Sequence, residues 1–115
     1  EKFYHGLVLG LIASLRATHL IHSNRESGDG YPDVLMYPLA NNTKHDLGIV
    51  MEFKHAREDG SDNQELLAEK ALKQIDVKNY VAELKAKAQV KRLLKLGLAF
   101  NHKRVVVRHH LQAVS

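Results

Sequence analysis

The chain has 115 residues, 44% of them apolar and 26% charged, with a formal net charge of +4 and no cysteine. That length allows one domain with a single core, and the balance is that of an ordinary globular protein. Disulfides, thiolate zinc sites and cysteine nucleophiles are excluded, whereas the positive charge permits an anionic partner such as nucleic acid without requiring one.

Residues 1–16 carry Phe3, Tyr4, Leu7, Val8, Leu11, Ile12 and Leu15, a helical spacing that is apolar nearly all round and predicts a buried helix. Gly6 and Gly10 on that helix would let another backbone approach closely. The stretch lacks the basic start and cleavage site of a signal peptide, and no apolar run is long enough for a membrane span. The absence of an initiating methionine, and a start already inside an apolar pattern, predict a fragment of a longer protein that forms one domain over 1–115.

Residues 18–25 read as a first strand, and Glu26-Ser27-Gly28-Asp29-Gly30 as a turn. A second strand follows over 31–38, with Pro32 tolerable at its start and Pro38 closing it. After a polar turn, the apolar run 47–55 predicts a third strand at the centre of a sheet. Short turns joining these three strands imply an antiparallel meander. Residues 56–62 form a charged loop, with Asp62 the expected helix cap. Residues 63–88 are helical in pattern, with Leu67, Ala71, Leu72, Ile75 and then Tyr80, Val81 and Leu84 as the apolar face and a break expected near Asp76-Val77. A fourth strand over 91–100 and a last one from Arg104 to about His109 complete an α-β-β-β-α-β-β order. A long helix between two strands is a crossover, so the fourth strand should run parallel to one of the first three.

One constellation carries chemistry. Asp33 follows Pro32, and Glu52 and Lys54 stand two apart in the apolar third strand. Strand alternation points Glu52 and Lys54 to one face, and Asp33 on a paired strand can lie beside them. Burying these charges is costly unless they are paired or hold an ion. Two carboxylates with waters and a backbone carbonyl, that of Phe53 being nearest, suit Mg²⁺ or Mn²⁺. Such an ion would activate a water and clamp a phosphate oxygen, with Lys54 offsetting phosphate charge. A plain ion pair between Glu52 and Lys54 fits the spacing equally well.

Pro32-Asp33, then Glu52-Phe53-Lys54, then a helix, resembles the signature of the PD-(D/E)XK nuclease superfamily. Phe3-Tyr4-His5-Gly6-Leu7, Ser23-Asn24-Arg25-Glu26-Ser27-Gly28 and Gln74-Ile75 with Tyr80 resemble one branch of it, in which the nuclease domain commonly follows an AAA-ATPase-like domain. Related copies occur in large bacterial effectors and toxins. The resemblance runs from Phe3 to Val107. It implies the α/β class with a restriction-endonuclease-like α-β-β-β-α-β core, a mixed central sheet flanked by helices. It also implies hydrolysis of phosphodiester bonds, in DNA more than RNA, with Mg²⁺ or Mn²⁺ as cofactor. No membrane partner is implied. A homodimer, further domains in the full-length chain, and an intracellular place or delivery as an effector are.

By position, the resemblance makes Asp33 and Glu52 metal ligands and Lys54 the catalytic lysine. It brings Gln74 to the site from the helix, where its place three residues after Ala71 puts it on the sheet-facing stripe. Glu26 would assist the metal or fix its turn, and Glu1 matches an acidic residue near the metal. Tyr80 departs from some relatives, standing six residues after Gln74 instead of four. The alternative is an inactive nuclease-like module that binds nucleic acid or a protein, against which the intact Asp33, Glu52, Lys54 and Gln74 speak.

Other signals are weaker. None of the eight histidines forms the paired helical motif of zinc proteases. His55 should face away from Lys54 by alternation, and His109-His110 reads as a solvated terminus. Lys85, Lys87, Lys91, Arg92, Lys95, Lys103, Arg104 and Arg108 make the C-terminal third basic, either a phosphate-binding surface or a solvated face.

Overall fold

The computed structural model describes residues 10, 13, 18–23, 32–40, 44–78 and 81–114. Its elements are β1 (His19–Ser23), β2 (Val34–Pro38), β3 (Leu47–His55), α1 (Gln64–Val77), α2 (Ala82–Lys85), β4 (Arg92–Phe100) and β5 (Val105–Ala113). The expected first helix falls almost wholly outside the described residues. At Gly10 no atom of the described residues lies within 4 Å of where a Cβ would stand, and Gly6 lies outside the described residues.

The five strands form one sheet in the order β1-β2-β3-β4-β5. The first three run as the antiparallel meander that short turns demand. The helical crossover then returns β4 parallel to β3, and β5 closes the sheet antiparallel to β4. A mixed sheet with helices packed on it is an α/β arrangement.

Continuous apolar runs in β2 and β3 bury both sheet faces. On one face Val34, Met36, Ile49, Met51, Phe53 and Phe100 pack together, with the Phe53 and Phe100 rings edge-on at 6.1 Å. On the other, Leu35, Tyr37, Val50 and Leu93 meet Ile75 of α1 and Val81 and Leu84 beyond it. α1 lies on this second face, over β3, β4 and β5.

Gly97 of β4 sets how closely α1 approaches. A Cβ there would stand 2.4 Å from the Ala68 carbonyl oxygen and 2.6 Å from the Leu72 nitrogen, both of them helix backbone. Only a glycine leaves room for that contact. Gly97 is also the register partner of Glu52, so the closest approach falls beside the candidate site.

Two details depart from the pattern read in the sequence. The cap of α1 is Asn63, whose side-chain oxygen accepts from the Leu66 N–H at 3.1 Å. Asp62 instead accepts from the Arg57 N–H at 2.7 Å and closes the loop, whose Gly60 takes a φ of 78°. β5 runs to Ala113, which makes His109 and His110 exposed strand residues and not a terminus. The expected helix break is present, with α1 ending at Val77 and α2 beginning at Ala82.

The β4–β5 turn is locked from inside. Buried Asn101 accepts the Lys103 and Arg104 N–H groups on its side-chain oxygen. Buried Gln64, at the start of α1, donates to the carbonyls of Ala99 and Arg104 at 3.2 and 3.1 Å. The helix start and the hairpin thereby satisfy each other's buried polar groups.

Candidate active site

β3 presents Val50, Glu52 and Lys54 to the α1 face and Met51 and Phe53 to the other, as the period of two requires. The β2–β3 ladder pairs Val34 with Met51, and one further step along it sets Asp33 opposite Glu52. Asp33 lies just outside the strand, after Pro32. Its Oδ2 accepts from the Phe53 N–H at 2.7 Å, so a side chain serves an amide beyond the end of the ladder. Both carboxylates therefore meet on one side of β3, as the sequence predicted.

Glu52 is only 6% exposed. Burial, and after it the charge of Asp33, push its carboxyl from 4.5 up to about 7, against the opposing pull of the Asp33 N–H and the Lys54 ammonium. Lys54 sits half-buried and donates from Nζ to Gln74 Oε1 at 2.6 Å. The predicted polar residue on the sheet-facing stripe of α1 thus reaches the predicted lysine. Among the described residues, Glu52 and Lys54 form no ion pair of the kind that the spacing also allowed.

The donor set fits a hard divalent cation. Asp33 and Glu52 offer carboxylate oxygens, and the charge repulsion that raises Glu52 is what a cation between them would relieve. No cluster of three or more acidic or histidine side chains suited to a metal occurs among the described residues. Glu1 and Glu26, which the resemblance brought to the site, and Tyr80, which departs from some relatives, lie outside the described residues.

His55 faces away from the site, as alternation requires: its ring stands 5.8 Å from that of Phe100 and its Nε2 3.2 Å from Glu58, which also pairs with His102. The basic C-terminal third is not one surface. Arg92 pairs with Asp46, Arg104 with both oxygens of Glu65, and Lys87 lies over the Tyr37 ring. Lys95 is buried against Asp76. Lys91 precedes β4 and Arg92 begins it, while Lys103 and Arg104 follow its end, about 30 Å away along nine strand residues.

Gly97 escaped the reading of the sequence. Its signal was present: a lone glycine inside an apolar strand marks a place where another backbone comes close. No helix among the described residues is long and apolar enough to cross a membrane.

A family model of the PD-(D/E)XK nuclease superfamily matches residues 1–110. Neither the comparison with curated proteins nor that with solved structures gives a match. Members of the superfamily are nucleases that usually employ divalent metals, and a nucleic-acid substrate goes with them. With Asp33, Glu52 and Lys54 gathered at one end of the β2–β3 ladder and 110 of 115 residues matched, the chain belongs to the PD-(D/E)XK nuclease superfamily.

Proposed function

We propose that this domain is a metal-dependent nuclease that cleaves phosphodiester bonds of DNA with water as the nucleophile. The observation that carries the reading is the pairing of a buried Glu52 carboxyl with Asp33, beside a lysine that donates to Gln74. Asp33, Glu52 and the Phe53 carbonyl would hold Mg²⁺ or Mn²⁺. When bound, such an ion lowers the pKa of a water and offsets charge gathering on the phosphate.

The chain's own groups do the rest. Glu52 must lose its proton before it can serve as a ligand. Lys54 keeps its ammonium toward the site because Gln74 accepts one of its hydrogens, and it supplies positive charge where the phosphate becomes most negative. The β-β-β-α-β run of the described residues supports a restriction-endonuclease-like core. Glu1 and Glu26 join the site on the resemblance alone.

The test is cleavage of supercoiled plasmid, and of RNA in parallel, with Mg²⁺, Mn²⁺ or EDTA. Metal-dependent nicking should fall by about 100-fold or more in Glu52→Ala and in Lys54→Ala. Cleavage that persists in EDTA, or in both variants, would overturn the assignment. Binding of nucleic acid with no cleavage by the wild type would leave an inactive module.

A further inference from the structure

Lys95 is the one buried lysine among the described residues, 5% exposed on β4. Its stem lies on the sheet face that α1 covers, in register with Val50. Its Nζ reaches Asp76 Oδ1 at 2.6 Å. Asp76 itself is largely exposed, so the lysine extends from the interior to a carboxylate at the helix end.

That carboxylate stands where helix electrostatics disfavours it. The last turn of α1 contains Asp76 and no basic residue, although the carbonyl end of a helix repels negative charge. A residue that breaks a local rule needs a tertiary reason, and Lys95 supplies it.

Gln74 occupies the same turn. Two residues apart on an α-helix, Gln74 and Asp76 project about 200° from each other. Lys54 of β3 therefore grips one side of the turn and Lys95 of the adjacent β4 grips the other, each at 2.6 Å. Just beyond, the helix breaks, and Lys78 donates back to the carbonyls of Gln74 and Asp76. A helix end has few backbone bonds of its own to hold it. Ile75, between the two, anchors the turn in the core of that face, so the second polar grip serves to fix how the turn is rotated over the sheet and where Gln74 points.

We propose that Asp76 and Lys95 are a pair of positioning residues that fix the last turn of α1, so that Gln74 holds the Lys54 ammonium in the site. The proposal rests on reading Lys54 as part of a nuclease centre, and its first readout does not depend on cleavage. Asp76→Asn alters an exposed side chain and should leave the backbone amide spectrum native. In nitrogen-15-labelled protein, hydrogen exchange at the Lys54 ammonium should speed up several-fold in Asp76→Asn and return toward the wild-type rate in Asp76→Glu. Gln74→Ala gives the fully released rate. Plasmid cleavage by Asp76→Asn should lose about tenfold in kcat with KM little changed, since the group that moves is one of orientation.

Unchanged exchange at Lys54 in Asp76→Asn would overturn the proposal, as would a wild-type Lys54 ammonium that exchanges as fast as in Gln74→Ala. If Asp76→Asn loosens Lys54 while the wild-type domain cleaves nothing, the nuclease reading falls and the positioning pair stands.

Discussion

Glu52 should make the metal-free domain less stable as the pH rises. Moving a buried carboxyl from 4.5 to about 7 corresponds to about 3 kcal/mol. The sign follows from proton uptake. Between those pH values the folded chain keeps a proton that the unfolded chain releases, so the stability of the neutral form is complete below about 4.5 and is lost as the pH rises through about 7. In Glu52→Gln that titration is gone. The variant's advantage over wild type in EDTA should therefore widen by about 3 kcal/mol between pH 4.5 and pH 8, read by urea denaturation. Asp33→Asn should recover only part of the effect, because burial and not the Asp33 charge is its larger cause. Saturating Mg²⁺ should restore the wild type at high pH and leave Glu52→Gln unmoved, since binding to the folded state alone adds stability. Parallel pH curves for wild type and Glu52→Gln in EDTA would refute the reasoning, for they would mean that Glu52 titrates as an exposed residue does.

Other parts of the structure give shorter tests. Gly97→Ala should cost about 2 kcal/mol in urea denaturation, because the new Cβ meets helix backbone that cannot rotate away, and it should lower cleavage by lifting α1 from the site. Asn63→Ala should cost about 1 kcal/mol through loss of the helix cap. The same change at Asp62 removes only a loop hydrogen bond and should cost less in the same assay. Gln64→Leu should lower stability by about 1–3 kcal/mol, read as a drop in Tm, because two carbonyls at the β4–β5 turn lose their donor.

The topology was legible wherever one period dominated. The run from Leu47 to His55 could only be a buried strand, and the helical stripe of Leu67, Ala71, Leu72 and Ile75 between two such strands required a parallel crossover. The site was legible because charges inside an apolar strand are costly and so stand out. Glu52, Lys54 and the inward-facing Gln74 were each an exception to an otherwise apolar surface, and the structure joins Gln74 to Lys54. What escaped were choices between near-equivalent neighbours. Asp62 and Asn63 are both good caps, and only the path of the loop decides that the first serves Arg57 and the second Leu66. Lys95 reads as one more cation in a basic stretch until the sheet places it inward beneath α1.

The arrangement around Glu52 has a common physical logic. Asp33 reaches the Phe53 amide because β2 pairs with β3 no further than Val34, so the end of a ladder becomes the place where a side chain can replace backbone. Gly97, the partner of Glu52 on the next strand, lets helix backbone come close to the sheet beside Glu52, whose burial pushes its carboxyl up. The same close contact brings the last turn of α1 within reach of two lysines, one of which carries its ammonium to the site through Gln74. Burial of the acid and placement of the base side chain are thus consequences of one distance between helix and sheet. A substitution that widens that distance should weaken both together: Glu52 would titrate closer to an exposed carboxylate, and Lys54 would lose its acceptor.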